Sequence, residues 1–365
     1  MGHRQGALEN VGMSLPDPKF WAGRRVLLTG HTGFKGAWLA LWLEFLGARV
    51  TGFALDPEAG PSVFHATEPL DHASDRRGDL RDAEAVRAAV EAAQPEIVLH
   101  LAAQALVGRG WADPMGTYAS NVTGTLNLLE ALRGREGLRA VLVVTSDKVY
   151  RNDDSGHAFS EDAALGGDDP YSASKAACEI ALAPLRAAWF AGVGLGTARA
   201  GNVIGGGDAG EGRLLPDCWR AARAGETLVL RRPESTRPWQ HVLDCLRGYL
   251  VFAEALAARQ DVPQSLNFGP SPGGPTATAK NLAEAMLARL GSGAWRAAEG
   301  PVIAEKAHLS LDPSRAETAL GWRAVLPVEA GLELTAGWCR AHDAGADMRA
   351  FTLAQIAAHT RRLAA

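Results

Sequence analysis

Short apolar segments alternate with helical patterns from Arg25 to Arg199. Each apolar segment has the length of a buried strand, and a helical pattern separates it from the next one. Strands that are apolar throughout and separated by helices are typical of a parallel sheet covered by helices on both faces. We therefore predict an α/β fold with a doubly wound parallel sheet. The predicted strands are Arg25–Leu28, Arg49–Leu55, Ile97–Leu101, Ala140–Val144 and Gly194–Arg199, and the predicted helices are Ala37–Leu46, Asp82–Ala93, Asn121–Leu132 and Tyr171–Ala188.

A glycine-rich turn follows the first predicted strand and opens the first helix. It reads Leu28-Thr-Gly-His-Thr-Gly-Phe-Lys-Gly, with glycines at positions 30, 33 and 36. Glycines at this spacing allow a tight turn, close approach of the backbone to a pyrophosphate, and close packing of helix against strand. The free N–H groups at the start of the helix also favour phosphate. A merely structural turn is the alternative, but the position between strand and helix favours a dinucleotide site and a Rossmann-type fold.

The acidic residue that usually binds the cofactor ribose is not at its usual place. In most dinucleotide folds it closes the second strand, whereas this chain has Ala54 there and Asp56 two residues later. Asp79 follows a further short strand and could face the adenine. Such an aspartate can also cap the next helix, a role that fits Asp82 better. Lys35 in the glycine turn could meet a 2′-phosphate, so NAD and NADP both remain possible on these residues alone.

The length of 365 residues predicts two domains. We place the dinucleotide-binding domain at residues 19–200, with a returning segment near 238–262. The alternating pattern ends at a glycine-rich stretch, residues 201–212, so we predict a smaller, partly interleaved C-terminal substrate lobe over 201–237 and 263–365. Residues 1–18 lack the apolar core of a signal peptide and are expected to form a flexible leader.

Composition excludes several classes of protein. The 37 lysines and arginines against 41 aspartates and glutamates give a formal net charge of −4, so no nucleic-acid surface is indicated. No apolar run reaches the length of a membrane span. The four cysteines are scattered without metal-ligand spacing, which predicts neither a disulfide framework nor a metal site and fits the reducing cytoplasm. We expect a cytoplasmic protein that acts on a small molecule.

A tyrosine and a lysine lie four residues apart in the last predicted helix of the alternating region. Tyr171 and Lys175 would share one helix face, and a cation beside a phenol lowers the pKa of that phenol. Ser146, at the end of a predicted strand, would lie at the sheet edge where ligands of α/β proteins bind. The three groups suit oxidation of an alcohol to a ketone, with Tyr171 taking the hydroxyl proton. A surface Tyr–Lys pair is the alternative for this spacing taken alone.

These motifs resemble the extended short-chain dehydrogenase/reductases that act on nucleotide sugars. The resemblance rests on the glycine turn, Leu101-Ala-Ala-Gln, Tyr171-x-x-x-Lys175 and Asn202-Val. Longer strings, Thr145-Ser-Asp-Lys, Arg199-Ala-Gly-Asn-Val-Ile-Gly-Gly-Gly-Asp and Arg237-Pro-Trp-Gln-His-Val, resemble the CDP-glucose 4,6-dehydratases. The match extends from about Phe20 to about Ala358. It implies NAD as the cofactor, since the hydride returns to the same sugar. The implied cofactor-binding residues are Gly30, Thr32, Gly33, Phe34, Lys35, Gly36, Asp79, Leu80, Leu101, Ala102, Ala103, Asn121, Tyr171 and Lys175.

The two residues after Ser146 suit an elimination. A 4,6-dehydratase oxidises C4, removes the C5 proton, expels the C6 hydroxyl and returns the hydride to C6, so it needs an extra base and an extra acid. The resemblance implies an Asp-Lys pair in the CDP-glucose enzymes and an Asp-Glu pair in the TDP-glucose enzymes. We predict Asp147 as acid and Lys148 as base, roles that burial would favour through shifted pKa values. An exchange of the two roles and a plain salt bridge are the alternatives.

The substrate would carry a diphosphate, which calls for arginine and amide donors. The predicted substrate-binding residues are Gln104, Asn202, Arg213, Arg237, His241, Asn267 and His308, with both histidines also suited to a structural role. One segment departs from the family pattern. Where relatives continue Pro-Leu-Val-Arg, then a variable residue, Ser and an aromatic, this chain has Ala105-Leu-Val-Gly-Arg-Gly-Trp. We interpret Trp239 as a core residue that could also pack against a ring.

The sequence thus predicts an NAD-dependent lyase that converts CDP-D-glucose to CDP-4-dehydro-6-deoxy-D-glucose and water. A nucleotide-sugar 4-epimerase or a TDP- or GDP-sugar dehydratase of the same fold is the first alternative. A non-catalytic NAD(P)-sensing protein is the second, although it would be expected to lose Tyr171, Lys175 or the acid–base pair. The resemblance also implies a homodimer or homotetramer and a deoxysugar pathway such as that of lipopolysaccharide O-antigen.

Overall fold

The computed structural model describes residues 13–259, 261–270, 277–291, 293–299, 306 and 308–364. The strands are β1 Arg25–Thr29, β2 Arg49–Ala54, β3 Asp75–Arg77, β4 Ile97–His100, β5 Ala140–Val144, β6 Ala158–Phe159, β7 Gly194–Ala200, β8 Val203–Ile204, β9 Leu228–Leu230, β10 Gln240–His241, β11 Ser265–Phe268, β12 Trp295–Ala297 and β13 Ser310–Leu311. The helices are α1 Pro18–Trp21, α2 Phe34–Phe45, α3 Val63–Thr67, α4 Ala83–Ala93, α5 Val107–Ala112, α6 Pro114–Tyr118, α7 Gly124–Leu132, α8 Pro170–Trp189, α9 Leu214–Ala224, α10 Val242–Ala257, α11 Ala279–Leu290, α12 Ser314–Leu320, α13 Val328–Asp343 and α14 Met348–Ala364.

Seven parallel strands form the central sheet, in the order β3-β2-β1-β4-β5-β7-β11. The predicted doubly wound fold is therefore confirmed. The strand order reverses between β1 and β4, and ligands of open α/β sheets bind beyond the carboxyl ends of the strands at such a point. The glycine turn after β1 and the Leu101–Ala103 segment after β4 meet there. This edge positions every catalytic candidate.

Alternate residues of the strands pack on opposite faces of the sheet. In β1, Val26 and Leu28 belong to a core shared with α2 and α10, whereas Leu27 belongs to a second core under α4, α7 and α8. Burial on both faces explains why the strands are apolar throughout. Asp82 caps α4, as predicted, because its carboxylate accepts the backbone N–H groups of residues 84 and 85.

Two boundaries differ from the prediction. The returning segment does not end near residue 262, because β11 pairs with β7 and completes the sheet. Residues 1–12 of the predicted leader lie outside the described residues. The rest of it is attached to the fold: the Ser14 hydroxyl donates to the Leu320 carbonyl, and the Asp17 N–H donates to the Glu254 carboxylate at 2.9 Å.

All four cysteines are buried, and none of them forms a disulfide. Within the described ranges, the structure contains no helix with the length and apolarity needed to span a bilayer.

Candidate active site

The glycine turn has the geometry of a cradle for a dinucleotide. Gly30 has a φ of +78°, and a Cβ on it would lie 2.6 Å from the Ala102 nitrogen, so only glycine fits this turn. A Cβ on Gly36 would lie 2.0 Å from the Gly30 oxygen, which brings the start of α2 against the turn. Gly33 is the N-cap of α2 and supplies no side-chain cap, so the first N–H groups of the helix face a phosphate site. These residues fit a bound NAD.

Lys35 lies in the glycine turn and lines the cleft. Its amine donates to the Tyr249 hydroxyl at 3.3 Å, and the side chain lines the cleft that also contains Asp147. Burial lowers the pKa of Lys35. The contact that Lys35 makes is thus with Tyr249, and it gives no support to the 2′-phosphate contact that was the reason to consider NADP.

The other predicted cofactor residues lie at the carboxyl edge of the sheet. Leu101 and Ala102 follow β4, and their N–H groups donate to the Thr29 carbonyl and hydroxyl at 3.1 and 3.2 Å. Asp79 pairs with Arg81 at 2.5 Å, and this contact lowers the pKa of its carboxyl. Thr32, Phe34, Leu80 and Ala103 occupy the same edge.

Asn121 is buried and holds the backbone near the site. Its side chain accepts from the Gln104 N–H at 2.8 Å and donates to the Ser174 hydroxyl at 2.8 Å. It lies in a π-helical turn, Ala119–Thr123, just before α7. The sequence predicts Asn121 as a cofactor ligand, whereas in this structure its amide links the Gln104 segment to α8.

The turn after β5 presents three catalytic candidates in succession. Ser146 caps a single 3₁₀ turn, Asp147–Val149, by accepting the Lys148 N–H at 3.2 Å. The Ser146 hydroxyl also donates to Asp147 Oδ1 at 3.0 Å. All three residues line the same cleft as Tyr171, as the sequence predicts.

The Asp147 carboxyl is buried, and one of its two oxygens lacks a hydrogen-bond partner in the described part of the chain. The side chain is 3% exposed, and Oδ2 has no hydrogen-bond partner among the described residues. Burial raises the pKa of Asp147, while Lys148 and Ser146 act in the opposite direction. Among the described residues, Asp147 therefore forms no hydrogen-bonded salt bridge with Lys148. Its raised pKa suits an acid, which must carry a proton before it can donate one.

Tyr171 and Lys175 share a buried face of α8, but their mutual effect differs from the prediction. Burial raises the pKa of Tyr171 to about 12, with the Ser146 hydroxyl acting against that rise. The Lys175 amine donates to the Val144 carbonyl at 3.0 Å, and burial lowers its pKa to about 8. The expected lowering of the tyrosine pKa by Lys175 is therefore not found, because burial raises that pKa and Lys175 is not among the groups that act on it.

The same face of α8 carries a third buried residue next to the candidate site, and the sequence reasoning missed it. Glu179, four residues after Lys175, is 4% exposed and pairs with Arg199 at 2.9 Å. It also accepts from the Thr145 hydroxyl at 2.6 Å, and so fixes the residue just before Ser146. The i, i+4, i+8 spacing from Tyr171 was the signal that could have revealed it.

The cleft has a volume of about 580 Å³ and an excess of positive charge. Seven lysines and arginines line it against four carboxylates, although the whole chain is acidic. Arg213, Arg237 and Asn202 lie in its wall, as predicted for diphosphate ligands. Arg213 pairs with Asp208 at 3.0 Å, an acid in the glycine-rich run after β8.

Four of the predicted substrate-binding residues are not among the residues that line the cleft. Asn267 is fully buried in β11 and bonds to Tyr150 at 2.6 Å and to the Phe159 carbonyl at 2.9 Å. His241 is buried as the N-cap of α10. Gln104 accepts the Leu106 N–H and donates to Thr117 at 3.0 Å. His308 is exposed and contacts Thr236 at 3.1 Å, outside the cleft wall.

The departing segment of residues 105–111 borders the cleft. A Cβ built on Gly108 would have no heavy atom within 4 Å. The glycine that stands in place of the arginine of the family pattern therefore leaves open space at this position. A Cβ on Gly110 would lie 3.1 Å from the Tyr171 nitrogen. Arg109 lines the cleft and pairs with Glu58 at 2.5 Å.

Comparison with known proteins agrees with this geometry. Residues 26–269 match the NAD dependent epimerase/dehydratase family, and the chain belongs to that family. It is 40% identical over 341 residues to CDP-glucose 4,6-dehydratase of Salmonella typhimurium, covering 91% of this chain and 95% of that protein. It is 30% identical to dTDP-glucose 4,6-dehydratase of Streptomyces griseus, covering 87% and 94%. The resemblance drawn from the motifs is confirmed.

Solved structures of relatives show the same fold. The UDP-glucose 4-epimerase of Thermus thermophilus, in complex with NAD, superposes with a TM-score of 0.74 at 26% identity, covering 86% of this chain and 98% of that chain. NAD, the cofactor predicted from the sequence, is confirmed by these comparisons.

Proposed function

We propose that this protein is an NAD-dependent dehydratase that converts CDP-D-glucose to CDP-4-dehydro-6-deoxy-D-glucose and water. The observation that carries the proposal is the turn after β5, where Asp147 and Lys148 join Ser146 and Tyr171 in one cleft. An epimerase needs only the Ser–Tyr–Lys set, so the extra acid and base favour elimination. The similarity to the Salmonella enzyme supports a cytidine nucleotide as the carrier of the sugar.

Each step is assigned to a residue of this chain. Bound NAD supplies a hydride acceptor for C4 of the hexose and, later, a hydride donor for C6. Tyr171 takes the proton of the C4 hydroxyl, and Ser146 orients that hydroxyl. The new ketone acidifies C5, and Lys148 removes the C5 proton. Asp147 gives its proton to the C6 hydroxyl, which leaves as water, and a proton then returns to C5.

Burial suits Asp147 to its role and opposes that of Tyr171. A carboxyl in an apolar site holds its proton at a higher pH than in water, and Asp147 has this environment. Tyr171 must become a base although burial raises its pKa to about 12, and the positive charge of an oxidised NAD held by the glycine turn would favour the phenolate. Tyr171 would then be active only with the oxidised cofactor present.

The diphosphate would be held by the cationic wall. Arg213 and Arg237 lie in it, and electrostatic attraction by clustered cations favours a doubly charged ligand. Hydrogen bonds from Arg237 to the Thr236 and Lys306 carbonyls, at 2.7 and 2.9 Å, hold its guanidinium in place.

A homo-oligomer located in the cytoplasm forms part of the proposal. Met115, Tyr118 and Ile180 are 78%, 37% and 62% exposed, and they lie on α6 and α8, which pack together. Large apolar side chains on neighbouring helices favour a protein partner such as a second copy. Light scattering of the wild type and of Ile180→Glu tests this, and a monomeric wild type would contradict it.

The activity is tested with pure protein, NAD and a panel of CDP-, TDP- and GDP-glucose. The 4-keto product is followed by its ultraviolet absorbance in alkali. We expect turnover of CDP-glucose above the others. Preferred turnover of TDP- or GDP-glucose would overturn the specificity, and bound NAD without turnover of any sugar would favour a cofactor-sensing protein.

A further inference from the structure

The segment Arg237–Gln240 lies beside the catalytic carboxyl. A Cβ built on Gly201 would be 2.5 Å from the Pro238 ring and 3.2 Å from Asp147 Oδ2, so the proline and the carboxyl both lie close to Gly201. Arg237 and Trp239, on either side of the proline, both line the cleft. A tryptophan is thereby placed next to the reacting part of the proposed substrate.

The indole of Trp239 is buried without a hydrogen-bond acceptor. Its side chain is 8% exposed, and Nε1 has no partner in the described part of the chain. Buried N–H groups are nearly always paired, because an unpaired one loses its bonds to water and gains nothing. Other indoles of this protein follow the rule: those of Trp38 and Trp322 donate to the carbonyls of Gly206 and Asp244 at 2.9 and 3.1 Å.

Trp42 gives the matched comparison. Its indole nitrogen is also buried and unpaired among the described residues, but its ring packs edge-on against His359 in the core and does not line the cleft. An acceptor brought by a ligand can reach the neighbourhood of Trp239 and not that of Trp42. The diphosphate and the hexose of a nucleotide sugar carry many such oxygens.

We propose that the Trp239 indole N–H donates a hydrogen bond to an oxygen of the hexose or of the phosphate that bears it, next to Arg237 and Asp147. This rests on the proposed function for the identity of the ligand. The proposal extends the interpretation of Trp239 as a core residue, because the ring packs in the core while its N–H binds the substrate. Trp239 is a substrate-binding residue in this account, with no proton transfer assigned to it.

The test compares Trp239→Phe with Trp42→Phe, since both changes remove a buried, unpaired indole N–H and keep an aromatic ring. Titration calorimetry with CDP-glucose and with CMP measures Kd for the NAD-loaded proteins, each in a Tyr171→Phe background so that the sugar is not turned over during the titration. We expect Trp239→Phe to weaken CDP-glucose binding about tenfold, the effect of one hydrogen bond to a polar or charged acceptor, and to leave CMP binding unchanged. Trp42→Phe should leave both affinities unchanged.

An unchanged Kd for CDP-glucose in Trp239→Phe, or an equal loss for CMP, would overturn the proposal. Equal losses in both variants would show a structural effect and overturn it as well. If wild-type protein binds another nucleoside diphosphate sugar and not CDP-glucose, the proposed function fails. The same pair of variants titrated with that sugar and its nucleoside monophosphate then still decides the role of Trp239.

Discussion

Asp147→Asn separates proton donation from every other property of the Asp147 side chain. Asparagine has the same shape, and its oxygen can still accept the Ser146 hydroxyl that now bonds Oδ1 at 3.0 Å. What is lost is the ionisable proton of the carboxyl, whose Oδ2 is buried and has no partner among the described residues. Loss of a general acid lowers a rate about 10²–10⁴-fold, or about 3–5 kcal/mol in the barrier. We expect kcat to fall by that amount.

The assay follows two events in the Asp147→Asn protein. C4 oxidation appears as accumulating reduced cofactor, measured by its near-ultraviolet absorbance, and C5 deprotonation appears as uptake of solvent deuterium at C5. Both should persist, because Tyr171 and Lys148 are unchanged, while water elimination stalls. Unimpaired turnover, or loss of C4 oxidation, would refute the assignment of Asp147 as the acid.

The stability of the same variant gives an independent check. Burial raises the pKa of Asp147 in the folded protein, so the folded state binds this proton more tightly than the unfolded chain. The free energy of unfolding therefore falls as the pH rises above the ordinary pKa of an aspartate. Asp147→Asn should therefore have a higher Tm than wild type at pH 8, with the difference shrinking on acidification. A lower Tm at pH 8 would contradict this interpretation of the carboxyl.

Four further substitutions test other parts of the account. Lys148→Ala should still oxidise C4 and accumulate reduced cofactor, yet take up no deuterium at C5; normal turnover would exclude Lys148 as the base. Tyr171→Phe should lower C4 oxidation about 10²–10⁴-fold, and rapid formation of reduced cofactor would contradict its role. Gly201→Ala should slow turnover at unchanged NAD content, because the new Cβ would lie 2.5 Å from the Pro238 ring and 3.2 Å from Asp147 Oδ2; a wild-type rate would show that the segment beside the carboxyl tolerates it. Burial raises the pKa of Glu254 from 4.5 to about 7, so its charged form destabilises the fold as the pH rises through this range. Compared with wild type, Glu254→Gln should be more stable by about 1–3 kcal/mol at pH 8 and equally stable at pH 4. Equal denaturation midpoints of the two proteins at pH 8 would refute this.

The sheet was predictable because its strands are buried on both faces and so leave continuous apolar runs such as Ala140–Val144. β11 escaped prediction, because four residues beside a proline- and glycine-rich stretch carry too little pattern to assign them to the sheet. Its pairing with β7 is set by tertiary packing.

The meeting of the catalytic candidates on α8 and after β5 was predictable because strand ends and helix spacing fix where those side chains lie. The places of Asn267 and His241, which are buried and do not line the cleft, could not be predicted, for the opposite reason. A resemblance transfers a position in the chain, whereas side-chain direction depends on partners such as Tyr150, which binds the Asn267 amide. The unpaired indole of Trp239 could not be predicted either, because hydrogen-bond satisfaction depends on the whole surrounding structure.

The most direct test of the account is the fate of a deuterium placed at C4 of CDP-glucose. If Tyr171 and bound NAD oxidise C4, and Asp147 and Lys148 then eliminate water, the same deuterium must return to C6 of the same molecule. Mass spectrometry and NMR of the product should find it in the new methyl group. Deuterium retained at C4, or lost to the medium, would contradict the dehydratase mechanism.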